Sequence, residues 1–158
     1  MRKNLLPIIF MPLVLLTACG DDNADYKHEV ESLIIKNKQL WQDANLRDYT
    51  FTYSSAPGDC PLVAPLPPRT IVVEDGKVIS STTQSFKLTN LKNQPTIDTI
   101  FEDMLTRLND FPKTYSAKWN NKDSLTEFHP TLGYPTAYFI DQSSKECDSK
   151  EVSIYNFS

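Results

Sequence analysis

The chain has 158 residues, with 16 lysines and arginines against 20 aspartates and glutamates, a formal charge of −4. An acidic balance of this kind lacks the electrostatic footprint of a nucleic-acid binder, so no nucleic-acid partner is expected. The length suits one domain, and four glycines in the whole chain make a phosphate-cradling loop an implausible reading.

The first segment has the three parts of a bacterial export signal: Arg2 and Lys3, an apolar run from Leu5 to Leu16, then small residues. The run is too short for a membrane helix, which needs about 20 apolar residues, and Pro7 and Pro12 oppose a stable buried helix. Leu16-Thr17-Ala18-Cys19 resembles the lipobox of bacterial lipoproteins. The resemblance implies cleavage after residue 18, a diacylglyceryl thioether on Cys19 and acylation of its new amino group, so that the membrane is a partner through lipid alone. Only a thiol can form that thioether. An uncleaved anchor or a plain secretory signal is the alternative. Gly20, standing where an aspartate would favour retention in the inner membrane, points to the outer membrane facing the periplasm in a cell with two membranes. Loss of Arg2 and Lys3 takes the formal charge to −6.

Residues 19–25 read as a short polar tether and 26–158 as a single domain. Tyr26, Val30, Leu33, Ile34, Asn37, Leu40, Trp41 and Ala44 keep helical spacing, which predicts a helix from about 26 to 44 with Asp25 as N-cap and Asn45 at its end. In "RDYTFTY", Tyr49, Phe51 and Tyr53 alternate with threonines as in a half-buried strand. The stretch from Ser54 to Pro68 holds five prolines and Cys60 and is expected to be a loop with a function or a fastening.

With Cys19 consumed, Cys60 and Cys147 form an even pair in an exported protein, which predicts a disulfide; two unconnected buried thiols are the alternative. The bridge would close a loop of about 88 residues, for which the chain-entropy model gives about 4 to 5 kcal/mol.

Asp75-Gly76 lies between two β-rich runs, the signature of a two-residue hairpin in which Val73 faces Val78 and Val72 faces Ile79. Ile97, Ile100, Phe101, Met104, Leu105 and Leu108 predict a second helix, capped by Thr96 and stopped by Asn109-Asp110-Phe111-Pro112. "TYSAKW", "SLTEFH", "TAYFID" and "VSIYNF" read as strands, with Pro130 to Gly133 turning the chain between the middle pair. The elements predict an α+β fold, two amphipathic helices packed on one face of an antiparallel sheet of about six strands, with strand order open.

"LWQDANLRDYTFTY", a cysteine in the following loop, "VVEDGKV", "PTIDTIF" and "GYPTAYFID", in this order, resemble an uncharacterised family of bacterial secreted and lipid-anchored proteins, domain of unknown function 6174. The likeness runs from about residue 38 to the C-terminus and implies the fold and the address, without an activity. The family pattern implies paired cysteines close together after the first strand, where this chain has Cys60 alone, and the segment 113–122 reads as an insertion.

Candidate chemistry is sparse. The two histidines, His28 and His129, fall short of a metal-ligand set, and no serine or cysteine sits in a nucleophile motif, so neither metal, cofactor nor catalytic residue is assigned. Asp98, Glu102 and Asp103 read as a solvated helix face, and Arg47 with Asp48 as an ion pair at the start of the first strand. The expected function is that of a non-catalytic, lipid-anchored envelope module that binds a protein or another envelope component. The alternatives are an inhibitor or stability factor of an envelope enzyme, and a carboxylate-dependent hydrolase. Candidate contacts are Leu62 and Leu66 in the proline-rich loop and His129, Tyr134 and Pro135 in the later turn, both stiffened by proline.

Overall fold

The computed structural model describes residues 22–84, 86–110, 114–116 and 126–158. The first helix, α1, spans Asp22–Ala44 and buries Val30, Ile34 and Trp41, the apolar stripe expected of it. It begins inside the segment read as a tether, so Asp25 is an internal residue and not its cap. Its end is as expected, with Asn45 at φ 47°, a conformation that asparagine tolerates. The second helix, α2, spans Ile97–Asn109 and starts with a capping box. There Thr96 Oγ1 accepts from the Thr99 amide at 3.2 Å, while the Thr96 amide donates to Thr99 Oγ1 at 2.8 Å.

The strands are β1 (Tyr49–Ala56), β2 (Arg69–Glu74), β3 (Lys77–Thr82), β4 (Thr114–Ser116), β5 (Glu127–Phe128), β6 (Pro135–Asp141) and β7 (Lys150–Tyr155). They form one antiparallel sheet in the order β3-β2-β1-β7-β6-β4, with β5 pairing along the same edge of β6 as β4. The fold is α+β, with six strand positions across the sheet. Much of the predicted insertion at 113–122, and the ends of the strands read in "TYSAKW" and "SLTEFH", lie outside the described residues, as do Phe111 and Pro112 of the helix stop.

Period-two alternation sends Tyr49, Phe51 and Tyr53 of β1, Ile71 and Val73 of β2, Tyr138 and Ile140 of β6, and Val152 and Ile154 of β7 into one core with both helices. The register agrees: Phe51 lies opposite Ile71, Tyr53 opposite Ile154, and Tyr138 opposite Val152.

At the β2–β3 hairpin Asp75 and Gly76 both take positive φ, 48° and 72°, as a type I′ turn requires. Val73 does face Val78. Val72, however, faces Ser80 and not Ile79, because a bulge between Val72 and Val73 leaves Ile79 as the extra residue. The bulge turns Ser81 to the inner face, opposite Ile71, where it is fully buried. Arg47 and Asp48 brace this hairpin and do not pair with each other. Arg47 Nε donates to Asp75 Oδ1 at 2.9 Å, and Asp48 Oδ1 accepts from the Asp75 amide at 2.7 Å.

Candidate functional site

Cys19 lies outside the described residues, so the geometry around the expected lipid is not described. Among the described residues no helix is long and apolar enough to cross a membrane.

The proline-rich loop emerges from the end of β1 and is fastened at its base. Cys60 and Cys147 are joined in a disulfide, their Cα atoms 4.7 Å apart, with Cys147 in the left-handed region at φ 68°. The residues flanking the bridge add to the fastening. Asp59 Oδ1 accepts from the Ser149 hydroxyl at 2.7 Å and from its amide at 3.1 Å, and Asp148 accepts from the Ser143 hydroxyl. Burial alone would raise the Asp59 pKa, but these Ser149 bonds outweigh it and hold the carboxyl below its ordinary range.

Above this base the loop carries apolar side chains into solvent. Leu62 is 97% exposed, Leu66 59% and Val63 53%. Beneath the tip, Ala56, Pro57, Cys60, Pro61 and Pro65 line an open groove of about 390 Å³. Proline rings and a covalent base limit the number of conformations such a tip must give up on binding.

The later turn is placed differently: Tyr134 and Pro135, named above as candidate contacts, are both buried, which disfavours them as a contact surface. The Tyr134 ring stacks on Phe157 at 4.5 Å and on His129 at 4.8 Å, and meets Trp41 edge-on at 6.5 Å. The turn closes tightly, with the His129 amide donating to the Tyr134 carbonyl at 2.8 Å and the Gly133 amide to the His129 carbonyl at 2.9 Å. His129 Nδ1 accepts from the Leu132 amide at 3.1 Å, so the half-buried ring is committed to the turn. Gly133 explains the burial. At φ 74° it lies so close to α1 that an added Cβ would stand 2.3 Å from the Asn37 carbonyl oxygen.

The missing cue was Phe157. After Asn156, at φ 51°, Ser158 and Thr50 exchange both backbone hydrogen bonds, which carries Phe157 back over the core to stack on Tyr49 at 5.6 Å and on Tyr134. Tyr49 itself has its pKa pushed up to about 12 by burial, with the nearby Asp98 charge adding to the shift.

Sequence reasoning also missed a carboxylate group. The disulfide sets Asp59 beside Asp148, and the end of β6 adds Asp141, all three within 4.8 Å of one another. Such oxygens suit a hard cation by type, although one oxygen from each of the three carboxylates is half or fewer of those calcium takes. Asp59 is already bonded to Ser149, which ties the loop down, and Asp148 to Ser143 within the connection between β6 and β7.

The helix face read as solvated is only partly so. Asp98 and Glu102 are exposed, Glu102 pairing with Lys38. Asp103 is half-buried and accepts from Lys150 Nζ at 2.7 Å and from Arg107 Nε at 2.9 Å. Burial would raise its pKa, but Lys150 first and then Arg107 overcome that and hold it below the ordinary carboxylate range. His28 is exposed on α1, 3.3 Å from the Ser32 hydroxyl.

Among families, the model of a family of unknown function, DUF6174, matches residues 34–157, well over half of the chain. No curated protein and no solved structure matches it.

Proposed function

We propose that this chain, which belongs to the family of unknown function DUF6174, is a lipid-anchored envelope protein that acts as an interaction module and captures a partner through the Cys60-fastened loop. The observation that carries the reading is the apolar tip, with Leu62 97% exposed on a backbone pinned by the disulfide and by Asp59. Exposed leucines cost solubility unless something covers them, and a stiffened loop loses little entropy when it is covered. A protein partner offering an apolar groove fits this tip. The lipid on Cys19 would hold the domain at the membrane surface, favoured as the outer membrane facing the periplasm, and so raise the encounter rate with envelope partners.

The inhibitor or stability-factor reading uses the same loop as an inserting wedge. It differs from simple capture in what the partner does once bound, and an activity change in the captured protein separates the two.

The test is crosslinking in cells followed by pull-down of the native lipoprotein. Replacing residues 62–66 by glycine and serine should remove a specific crosslinked species while the melting temperature stays unchanged. Undiminished capture by that variant would sink the reading. For the anchor, Cys19→Ser should abolish fatty-acid labelling and release the protein from the membrane fraction; persistent labelling of the variant refutes lipidation at Cys19.

A further inference from the structure

A second feature lies on the inner face of the sheet, lined by residues other than those of the apolar tip. Tyr53 of β1 and Arg69 of β2 are direct neighbours there, and Lys150 of β7 lies on the same face, opposite Ile140. With Thr99, Ile100 and Asp103 of α2 and the segment Lys92–Pro95 leading into it, they line an open cleft of about 300 Å³. That volume is at the lower end of the range for small-molecule sites.

The charges in this cleft do not balance. Arg69, Lys92 and Lys150 face one carboxylate, Asp103, and Asp103 is already shared between Lys150 and Arg107. Among the described residues no carboxylate pairs with Arg69. Its guanidinium is nevertheless held in place, with Cζ 5.2 Å above the Tyr53 ring centre and Nη1 donating to Gln94 Oε1 at 3.1 Å, while Nε is buried without an acceptor. Gln94 Oε1 also accepts from the buried Ser81 hydroxyl at 3.1 Å. Since arginine can only donate, this arrangement fixes the orientation of the Gln94 amide and leaves its nitrogen as a further donor at the cleft. The β3 bulge is what brings Ser81 inward to complete this support.

We infer that the cleft is a binding site for a small anion, a carboxylate or phosphate group carried by a small molecule, with Arg69 as its principal donor and Lys92 and the Gln94 amide nitrogen as auxiliaries. A guanidinium with five donors, one of them used, is matched geometrically to two oxygens of such a group. A local excess of positive charge in a chain of net charge −4 also concentrates small anions at the cleft. The size excludes a polymer from entering as a whole.

The test is a titration of the full-length protein in neutral detergent with inorganic phosphate and, separately, succinate, each against chloride at constant ionic strength. The readout is the NMR signal of the Gln94 side-chain amide. Saturable shifts with phosphate, succinate or both, and none with chloride, are the expected result, and the pattern identifies which group the site takes. Arg69→Gln should raise the dissociation constant about tenfold or more, as loss of a charge-assisted hydrogen bond does. Lys92→Gln, at an exposed position where folding is not at stake, should raise it roughly two- to fivefold. Responses no different from chloride would overturn the site. So would saturable binding left unchanged by both substitutions.

Discussion

Two proline-containing segments, the loop at residues 57–68 and the turn at 129–135, look alike in sequence and end in opposite surroundings. The loop has its leucines in solvent, and its shape is imposed at the base by a disulfide and by Asp59. The turn has its tyrosine in a stack of rings, and its shape is imposed from within by backbone hydrogen bonds and from outside by α1. The difference lies in what each segment can reach. A glycine at φ 74° lets the turn touch helix backbone, so Tyr134 can exchange water for Trp41, His129 and Phe157. The longer loop has no such approach and is fastened covalently instead. Proline stiffness alone therefore does not mark a binding segment; the burial of the side chains it carries decides.

The largest expected effect tests the buried side of this contrast. Tyr134→Ala removes a ring from a packed cluster and should destabilise the domain by about 3 to 5 kcal/mol, measured by urea unfolding. A loss under 1 kcal/mol would mean that the turn is as loosely held as the loop. Next comes the covalent base. Replacing Cys60 and Cys147 together by alanine should lower stability by about 2 to 4 kcal/mol and make the loop the first site of limited proteolysis, read by mass spectrometry of the nicked products. The turn should stay uncut in the same digest.

A smaller effect concerns the cleft carboxylate. The folded pKa of Asp103 is depressed, so its contribution is present above the unfolded value of about 4 and is lost as pH falls through the folded value. Asp103→Asn should therefore cost about 1 kcal/mol at pH 7, a modest figure because the side chain is one-third exposed and solvent screens its pairs with Lys150 and Arg107. At pH values below the folded pKa the two proteins should converge in melting temperature, and a constant gap from pH 7 to pH 2 would show that packing and not charge is responsible. The smallest effect is on the exposed tip. Leu62→Ser should change stability by less than about 0.5 kcal/mol while weakening partner capture, and a drop of 2 kcal/mol would make the loop part of the core.

Most elements were legible because their cues are local. Helical spacing in α1 and α2, the Thr96 cap, the alternating aromatics of β1 and the Asp75-Gly76 turn each depend on residues close together in the chain. The cleft around Arg69 was invisible, since Tyr53, Arg69, Gln94, Asp103 and Lys150 are scattered over almost a hundred positions and no two share a motif. The bulge that shifts β3 was equally hidden, because Ile79 and Ser80 can both follow Val78 in an alternating pattern, and only the partner strand determines which is left over.

By itself the sequence determined the class of fold, most of each helix and the hairpin, and the pairing of Cys60 with Cys147, all consequences of periodicity, capping and residue chemistry. The tertiary structure alone decided the strand order, in which β7 inserts between β1 and β6, and with it which of two similar turns is buried and which cations share a cleft. The reason is physical: a side chain's environment is made by residues distant in the chain, and the favourable partner for Tyr134 or Arg69 exists only once those strands are paired.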